Sequence, residues 1–222
     1  MPSATKIDVP YELLKQLIDA PRRYSSILEV GCFRGTRTVA LAKELDYSAT
    51  FLDISCHALQ YTMKNAEVAD ITAAFVVSDA LALPFRAESF DVVWSGGVNE
   101  HFNGHRRQLI FDEMARVCKL GGQVIVIVPN RLSIFYWLWR RALELRGKWC
   151  YDPEIPFSIF ELKRRLKNAG VTPVKVRGMR TLVSPPLRSA TLKVDKALGT
   201  VGGITGFEIG IMGIKTQEVP LT

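Results

Sequence analysis

The chain has 222 residues and a formal net charge of +7, with 48% hydrophobic and 23% charged residues. This length is enough for one domain with a substantial core, and the composition excludes wholesale disorder. No run of about 18 uncharged apolar residues is present, and the N-terminus has no apolar signal core, so neither a membrane-spanning helix nor a secretory signal is expected. The four scattered cysteines predict a cytoplasmic protein with no metal site and no disulfide framework.

The basic excess is concentrated in one stretch. Residues 131–167 contain nine basic and four acidic residues, a net charge of +5. Such a patch indicates an anionic partner, which could be a membrane surface, a phosphorylated or carboxylated substrate, or nucleic acid. A solvated helical face explains the same pattern equally well.

Short apolar strands alternate with helical patterns from residue 26 to residue 128. Strands are predicted at 26–30, 49–52, 73–77, 90–94 and 123–128, and helices at 37–45, 56–66 and 105–119, the last stopped by two glycines. This alternation predicts β-α-β units and a parallel sheet covered on both faces. In such sheets ligands bind outside the carboxyl ends of the strands. We therefore expect the residues that directly follow strands to converge on one cleft, namely Gly31, Asp53, Asp79 and Ser95.

The chain changes character after Pro129. Residues 131–149 are basic and aromatic, and a capping box from Ser158 to Glu161 opens a helix that stops at Gly170. Two more strands are predicted at 171–176 and 207–214, with a helix at about 188–198 between them. The last strand alternates with glycine, which predicts an edge or hairpin position.

The strongest local signal is the segment ILEVGCFRGT at 27–36. A strand leads into a glycine turn and then a helix, so the backbone can approach a ligand closely and the helix N-terminus favours negative groups. A dinucleotide fingerprint requires G-x-G-x-x-G. Its three glycine positions hold Gly31, Phe33 and Thr36 here, which weighs against a nicotinamide or flavin dehydrogenase.

This segment resembles the first motif of class I S-adenosylmethionine (SAM) dependent methyltransferases. Four later segments are similar to the family's further motifs in the same order: FLDIS at 51–55, VVSDALALPF at 76–85, ESFDVVWSGGVNEHF at 88–102 and MARVCKLGGQVIVIVPN at 114–130. The likeness is closest to the small-molecule branch that includes quinone-biosynthesis methyltransferases. It implies an α/β fold, a three-layer α/β/α Rossmann-like sandwich whose mostly parallel seven-stranded sheet has an antiparallel last strand. It also implies one methyltransferase domain over residues 1–222.

The resemblance implies that SAM is the cofactor and S-adenosyl-L-homocysteine its product. The loop after the first strand would frame the methionine part, and Asp53 would accept hydrogen bonds from the ribose. Asp79 and Ala80 would flank the adenine, while Ser95 and Gly96 would border the donor methyl. The cofactor-binding residues implied in this way are Glu29, Gly31, Cys32, Phe33, Gly35, Asp53, Ile54, Asp79, Ala80, Ser95 and Gly96.

Two alternatives concern these residues. The family's middle glycine is Phe33 here, and a bulky residue does not readily take a positive φ. Either the turn keeps a negative φ at Phe33, or the loop is reshaped and the ring lines the methionine end of the cofactor. For Asp53 and Asp79 the alternative role is that of a helix N-cap, because Asp is favoured there.

Candidate catalytic groups follow the fourth strand. Methyl transfer from a sulfonium is an in-line displacement, for which positioning can suffice. A weakly nucleophilic acceptor benefits from a general base, and Glu100 and His101 are the candidates. The alternative is that Glu100 caps the following helix and His101 packs beside the adenosine.

Residues 131–157 are predicted to be a lid on the substrate side of the domain. Tyr136, Trp139 and Leu143 fall on one helical stripe, whereas Trp137 and Trp139 point about 200° apart. This mixed pattern predicts that the stripe packs on the core and that Trp137 faces the acceptor. A weak, salt-sensitive peripheral contact of residues 131–149 with membranes stays open. Nucleic acid ranks a distant third, because no N/D-P-P-Y/F motif follows the fourth strand.

The sequence therefore predicts an enzyme that moves a methyl group from SAM to a small-molecule or lipid-like acceptor. A cyclopropane-forming lipid enzyme of the same fold stays open, because its E-H-x-G motif resembles E-H-F-N-G at 100–104. A protein that binds SAM without turnover, as a sensor or partner subunit, is the other alternative. The sequence makes no prediction of the oligomeric state.

Overall fold

The computed structural model describes residues 9–19, 25–150, 153–179 and 206–217, so the helix predicted at 188–198 lies outside the described residues. None of the described helices has the length and apolar character needed to cross a bilayer. The strands are β1 (Ser26–Val30), β2 (Ser48–Asp53), β3 (Ala73–Val77), β4 (Phe90–Gly96), β5 (Cys118–Pro129), β6 (Val171–Met179) and β7 (Glu208–Lys215). The helices are α1 (Val9–Leu17), α2 (Thr36–Leu45), α3 (Cys56–Ala69), α4 (Arg106–Val117), α5 (Ile134–Glu144) and α6 (Ile159–Asn168).

All seven strands form one sheet in the order β3-β2-β1-β4-β5-β7-β6. Strands β1 to β5 pair in parallel, and β7 runs antiparallel to both of its neighbours, β5 and β6. The fold class predicted from the sequence is therefore confirmed. Chain order reverses direction between β1 and β4, and at such a switch point the carboxyl ends of the strands open a crevice.

Helices cover both faces of the sheet. On one face α1, α2 and α3 bury Leu14, Leu41 and Leu59, and on the other α4 and α6 bury Phe111 and Leu166. Because β1, β4 and β5 lie between these two layers, their side chains are buried on both sides, which explains their nearly continuous apolar sequences. The buried sheet gives the strand ends a fixed relative position.

The glycine-rich strand β7 does not lie at an edge, so that alternative is wrong; it pairs antiparallel with β6, the preceding strand among the described residues. It lies between β5 and β6, and β6 is the edge strand. A Cβ at Gly210 would lie 2.5 Å from Leu17 Cδ1, and one at Gly213 would lie 2.7 Å from Val171 Cγ1. The glycines are therefore explained by the close approach of α1 and β6 to this strand.

The glycine pair predicted to stop the helix before β5 lies inside β5 instead. Helix α4 ends at Val117, and the strand begins at the next residue. Phe90 pairs with Cys118, whereas Val92 pairs with Gln123, so residues 119–122 form an irregularity within the β4–β5 ladder. A Cβ at Gly122 would lie 2.9 Å from Asp91 O, and only glycine fits this close approach.

Candidate functional site

The loop after β1 lies tightly against the end of β2. The backbone N–H groups of Gly31 and Cys32 both donate to Leu52 O, at 2.8 and 3.1 Å. Gly31 has φ +72°, and a Cβ there would lie 2.3 Å from Val98 Cγ2. Gly35 has φ +61°, is the N-cap of α2, and has Thr62 Cγ2 at 2.3 Å from its ideal Cβ position. Both glycines are required by backbone conformation and by space.

Phe33, between these glycines, has φ +49°. The alternative with a negative φ is therefore wrong, and Phe33 adopts the left-handed conformation at a cost of about 1–2 kcal/mol for a non-glycine residue. Its ring is 63% exposed. The Arg34 guanidinium lies 5.5 Å from the Phe33 ring centroid and 5.8 Å from that of Tyr61.

Asp53 connects this loop to the end of β2. Its Oδ2 accepts a hydrogen bond from Phe33 N at 2.9 Å, and its Oδ1 accepts one from Ser55 N at 2.9 Å. The N-cap of α3 is Ser55, whose Oγ accepts from Ala58 N. The N-cap alternative for Asp53 is therefore wrong, and the carboxylate holds Phe33 in place instead.

Adjacent strand ends carry exposed apolar and acidic groups. Ile54 follows β2, and Val77 ends β3, the strand that pairs with β2. Both side chains are exposed. Asp79 is also exposed, and its Oδ1 accepts from Leu81 N at 2.9 Å in a turn. The next element after β3 is a strand, so Asp79 caps no helix and that alternative is wrong too. Ala80 is buried beside this turn.

The end of β4 leads into a short 3₁₀ turn, Asn99–His101, that is mostly buried. Ser95 Oγ donates to Asn99 Oδ1 at 2.5 Å, and both side chains are fully buried. Asn99 Nδ2 has no hydrogen-bond partner among the described residues. A Cβ at Gly96 would lie 3.0 Å from the Trp94 ring, so the chain needs a small residue here.

Glu100 is buried in this turn. Its Oε2 makes no hydrogen bond to any residue that the structure describes. Burial raises the pKa of Glu100 to about 8; a backbone hydrogen bond opposes this shift, the charges of Glu154 and Glu208 add to it, and that of Arg107 opposes it least. Helix α4 begins only at Arg106, so Glu100 is not the cap of that helix.

His101 is exposed and lies away from this buried group. Its Nδ1 is 2.8 Å from Pro153 O. Ile155 N donates to Glu100 O at 2.9 Å, so residues 153–155 run along the 3₁₀ turn. The predicted pair of bases is therefore split, with Glu100 inside and His101 at the surface.

Helix α5 packs on residues 153–155 through one side. Tyr136 is fully buried, and its hydroxyl donates to Glu154 Oε1 at 2.9 Å. The Trp139 ring lies 5.2 Å from the Phe207 ring and 5.5 Å from the Trp149 ring. Of the predicted stripe, Tyr136 is buried and Trp139 packs on Phe207 as predicted, while Leu143 is only half-buried. Trp137 is half-exposed, and its Nε1 donates to Arg131 O.

The model of the family described as "Methyltransferase domain" matches residues 27–122. Residues 27–122 are a methyltransferase domain. The 2-methyl-6-phytyl-1,4-hydroquinone methyltransferase of Synechocystis is 36% identical over 109 residues, which cover 48% of this chain and 33% of that protein. The human protein named "Probable tRNA methyltransferase 9B" is 32% identical over 117 residues, covering 52% of this chain and 24% of that protein. The match thus spans a third or less of these curated relatives.

A solved structure supports the fold of the methyltransferase domain. The geranyl diphosphate C-methyltransferase of Streptomyces coelicolor, in complex with Mg²⁺, geranyl diphosphate and S-adenosyl-L-homocysteine, superimposes with a TM-score of 0.69 at 16% identity. The alignment covers 93% of this chain and 78% of that one. The match over residues 27–122 and this shared fold support the resemblance of the motifs to class I SAM-dependent methyltransferases.

The residues of the methyltransferase domain fit SAM chemically. The loop of Gly31 and Gly35 leaves backbone where no side chain fits, and Asp53 and Asp79 supply carboxylate acceptors at adjacent strand ends. Ile54 and Val77 offer exposed apolar surface between them. A sugar diol and a flat base require this combination of acceptors and apolar surface.

Two of the predicted cofactor-binding residues, Glu29 and Cys32, have buried side chains. Glu29 is buried on β1, and the Cys32 thiol lies 3.5 Å from Thr62 Oγ1. Burial raises the pKa of the Cys32 thiol to about 12, with smaller contributions from the charges of Glu29 and Asp53. The thiol therefore stays neutral and packs, which leaves only the backbone of Cys32 for a ligand.

Proposed function

We propose that this protein transfers the methyl group of SAM to a small-molecule or lipid-like acceptor. The observation that carries the proposal is the bond from Phe33 N to Asp53 Oδ2, which joins the glycine loop to the end of β2 within the matched domain. When bound, SAM supplies an electrophilic methyl group on a sulfonium. The acceptor's lone pair forms the new bond to the methyl carbon, and the carbon–sulfur bond breaks to leave neutral S-adenosyl-L-homocysteine.

In this proposal the strand ends hold the cofactor. The Asp53 carboxylate oxygens each accept one backbone hydrogen bond and keep acceptor capacity for the ribose hydroxyls. Ile54 and Val77 flank the adenine with their exposed side chains, and Asp79 lies beside it. Gly96 and the buried Ser95 border the donor methyl at the end of β4.

Glu100 is the base that we assign to the acceptor side. Its raised pKa, about 8, makes its ionised form a stronger proton acceptor than an ordinary carboxylate. Asn99 Nδ2, unbonded by the described residues, offers a donor to an acceptor oxygen in the same turn. The His101 ring contacts Pro153 O, so in this assignment His101 orients residues 153–155 and does not act as the base.

A lipid-like phenol is the acceptor class that we favour. The Synechocystis relative acts on a hydroquinone with a phytyl chain, and a hydroquinone hydroxyl is a weak nucleophile that benefits from a base. A nucleic-acid acceptor is disfavoured because the Trp139 ring contacts the Trp149 ring and the Phe207 ring edge to face, so it packs on other rings of the protein and is not free to stack on a base. Asp53 and Asp79 place two carboxylates at the strand ends, which disfavours phosphate groups there.

The test measures S-adenosyl-L-homocysteine formation from SAM with a prenylated hydroquinone, the same ring without its chain, an unsaturated phospholipid, and tRNA. We expect product with the first and less with the second. Glu100→Gln should lower the rate at pH 8 about 100-fold or more, within the range of general-base removal, and His101→Gln should lower it far less. Turnover with phospholipid alone would support the cyclopropane-forming alternative, turnover with tRNA would overturn the acceptor class, and SAM binding without any turnover would identify a binder.

A further inference from the structure

The side of α5 that faces away from the core is apolar and is not covered by any of the residues that the structure describes. Ile134, Leu138 and Leu145 are 66%, 62% and 75% exposed, respectively. They are four and seven residues apart, so on the helix they lie within about 40° of one another. Leu145, the C-cap, keeps right-handed helical dihedrals of φ −62° and ψ −24°. The buried Tyr136 lies on the opposite side, about 160° from Leu138.

Exposed cations surround this apolar line. Residues 131–149 contain five basic residues and one acidic residue, a net charge of +4. The acid, Glu144, is half-buried and ion-paired with Arg140 and Arg141. Arg146 and Lys148 are exposed just beyond the helix. A helix with large apolar side chains on one side and basic residues beside them has the composition of a segment that lies in a membrane interface.

We propose that this outer face of α5, formed by Ile134, Leu138 and Leu145, docks on an anionic lipid bilayer. Charge complementarity favours this occupant, because Arg141, Arg146 and Lys148 would meet anionic headgroups while the three apolar side chains enter the acyl boundary. A second copy of the chain in a two-fold contact would bring the same cations against each other, which is repulsive. Within the part of the chain that the structure describes, nothing covers this face.

The docked helix is two contacts away from the buried base. Tyr136 and Arg140, on its inner side, bind Glu154, and the next residue, Ile155, donates to Glu100 O. Docking would therefore bring the acceptor side of the cleft to the bilayer surface, where a lipid-like acceptor resides. This link rests on the proposed function, whereas bilayer binding itself does not.

The test is co-sedimentation of the full chain with vesicles of equal parts phosphatidylcholine and phosphatidylglycerol, compared with pure phosphatidylcholine, at about 0.1 M and about 1 M salt. We expect binding to the anionic vesicles, with a fraction retained at high salt because apolar burial is not screened. A basic-residue variant should bind on the order of 100-fold more weakly at low salt, and an apolar variant should lose the salt-resistant fraction. The apolar variant is Ile134→Gln, Leu138→Gln and Leu145→Gln, and the basic variant is Arg141→Gln, Arg146→Gln and Lys148→Gln.

Matched controls carry the same changes on other exposed surfaces and should bind like the unmodified chain. The proposal would be overturned if all variants bound vesicles equally, if the chain bound no vesicles, or if only the controls lost binding. It would also be overturned if the apolar variant abolished dimers and still bound vesicles. Vesicle binding without SAM binding would contradict the proposed function and leave the docking face supported. The apolar control is Val68→Gln, Phe160→Gln and Val174→Gln, and the basic control is Lys163→Gln, Arg164→Gln and Lys167→Gln.

Discussion

Replacing Asp53 by alanine removes the acceptor of two backbone hydrogen bonds and, in the proposed complex, the acceptor for the ribose. The bonds from Phe33 N and Ser55 N are both 2.9 Å long and end on a charged oxygen. The first holds a residue in a left-handed conformation, and the second orders the turn into α3. Asp53→Ala should therefore affect both folding and cofactor binding.

The expected magnitudes follow from these contacts. A hydrogen bond to a charged group contributes about 1.5–3 kcal/mol, and partial exposure of Asp53 favours the lower end. Asp53→Ala should lower the free energy of unfolding by about 2–3 kcal/mol in total, and Asp53→Asn, which keeps one acceptor oxygen, by about half as much. Loss of the ribose contact should weaken SAM binding about 10- to 150-fold.

Urea unfolding gives the stability change, and calorimetric titration with SAM well below the melting temperature gives the affinity. Ser55→Ala is the matched control, because it removes the α3 cap bond at a cost of about 1 kcal/mol without removing a ligand acceptor. We expect it to lower stability and leave SAM affinity unchanged. If Asp53→Ala lowers stability but leaves affinity at the level of Ser55→Ala, Asp53 only supports the loop and the ribose assignment is refuted.

Three further predictions concern single side chains. Phe33→Gly should be as stable as Phe33→Ala, or more stable by up to about 1 kcal/mol. The reason is that relief of the positive φ offsets the greater conformational freedom of glycine in the unfolded chain. A glycine variant that unfolds at lower urea concentration than the alanine variant would refute this. The raised pKa of Glu100, about 8 against an ordinary 4.5, means that its contribution to stability is full below pH 4.5 and is lost as pH rises to 8. The melting temperature of Glu100→Gln should therefore fall less over this range than that of the unmodified chain, and parallel curves would contradict the buried carboxyl. Trp137→Ala should raise the KM for the acceptor more than the Kd for SAM, and equal losses in both would exclude a role on the acceptor side.

Much of the fold follows from hydrophobic periodicity. The strands at 26–30 and 73–77 have the predicted bounds, because apolar runs between polar turns identify buried strands. The position of β7 could not be predicted, since its glycines are explained by the close approach of α1 and β6. These contacts involve residues far apart in the chain. Helix α1 has a signal, the spacing of Leu13, Leu14 and Leu17, which helical periodicity would have identified.

The candidate site likewise has some features that the sequence predicts and others that depend on distant contacts. Gly31, Asp53 and Asp79 lie at strand ends as predicted, because parallel topology alone brings those ends together. The left-handed Phe33 depends on its bond to Asp53, a contact that no local pattern reveals. The burial of Glu100 likewise depends on residues 153–155, about fifty positions later, so the sequence could offer Glu100 and His101 only as a pair.

The most direct test of the central claim is calorimetric titration of the purified chain with SAM, S-adenosyl-L-homocysteine and NAD in parallel. The account predicts that SAM and S-adenosyl-L-homocysteine bind, that Asp53→Ala weakens both, and that NAD gives no binding heat, because the second and third fingerprint positions hold Phe33 and Thr36. Binding of NAD in the absence of SAM binding would contradict it.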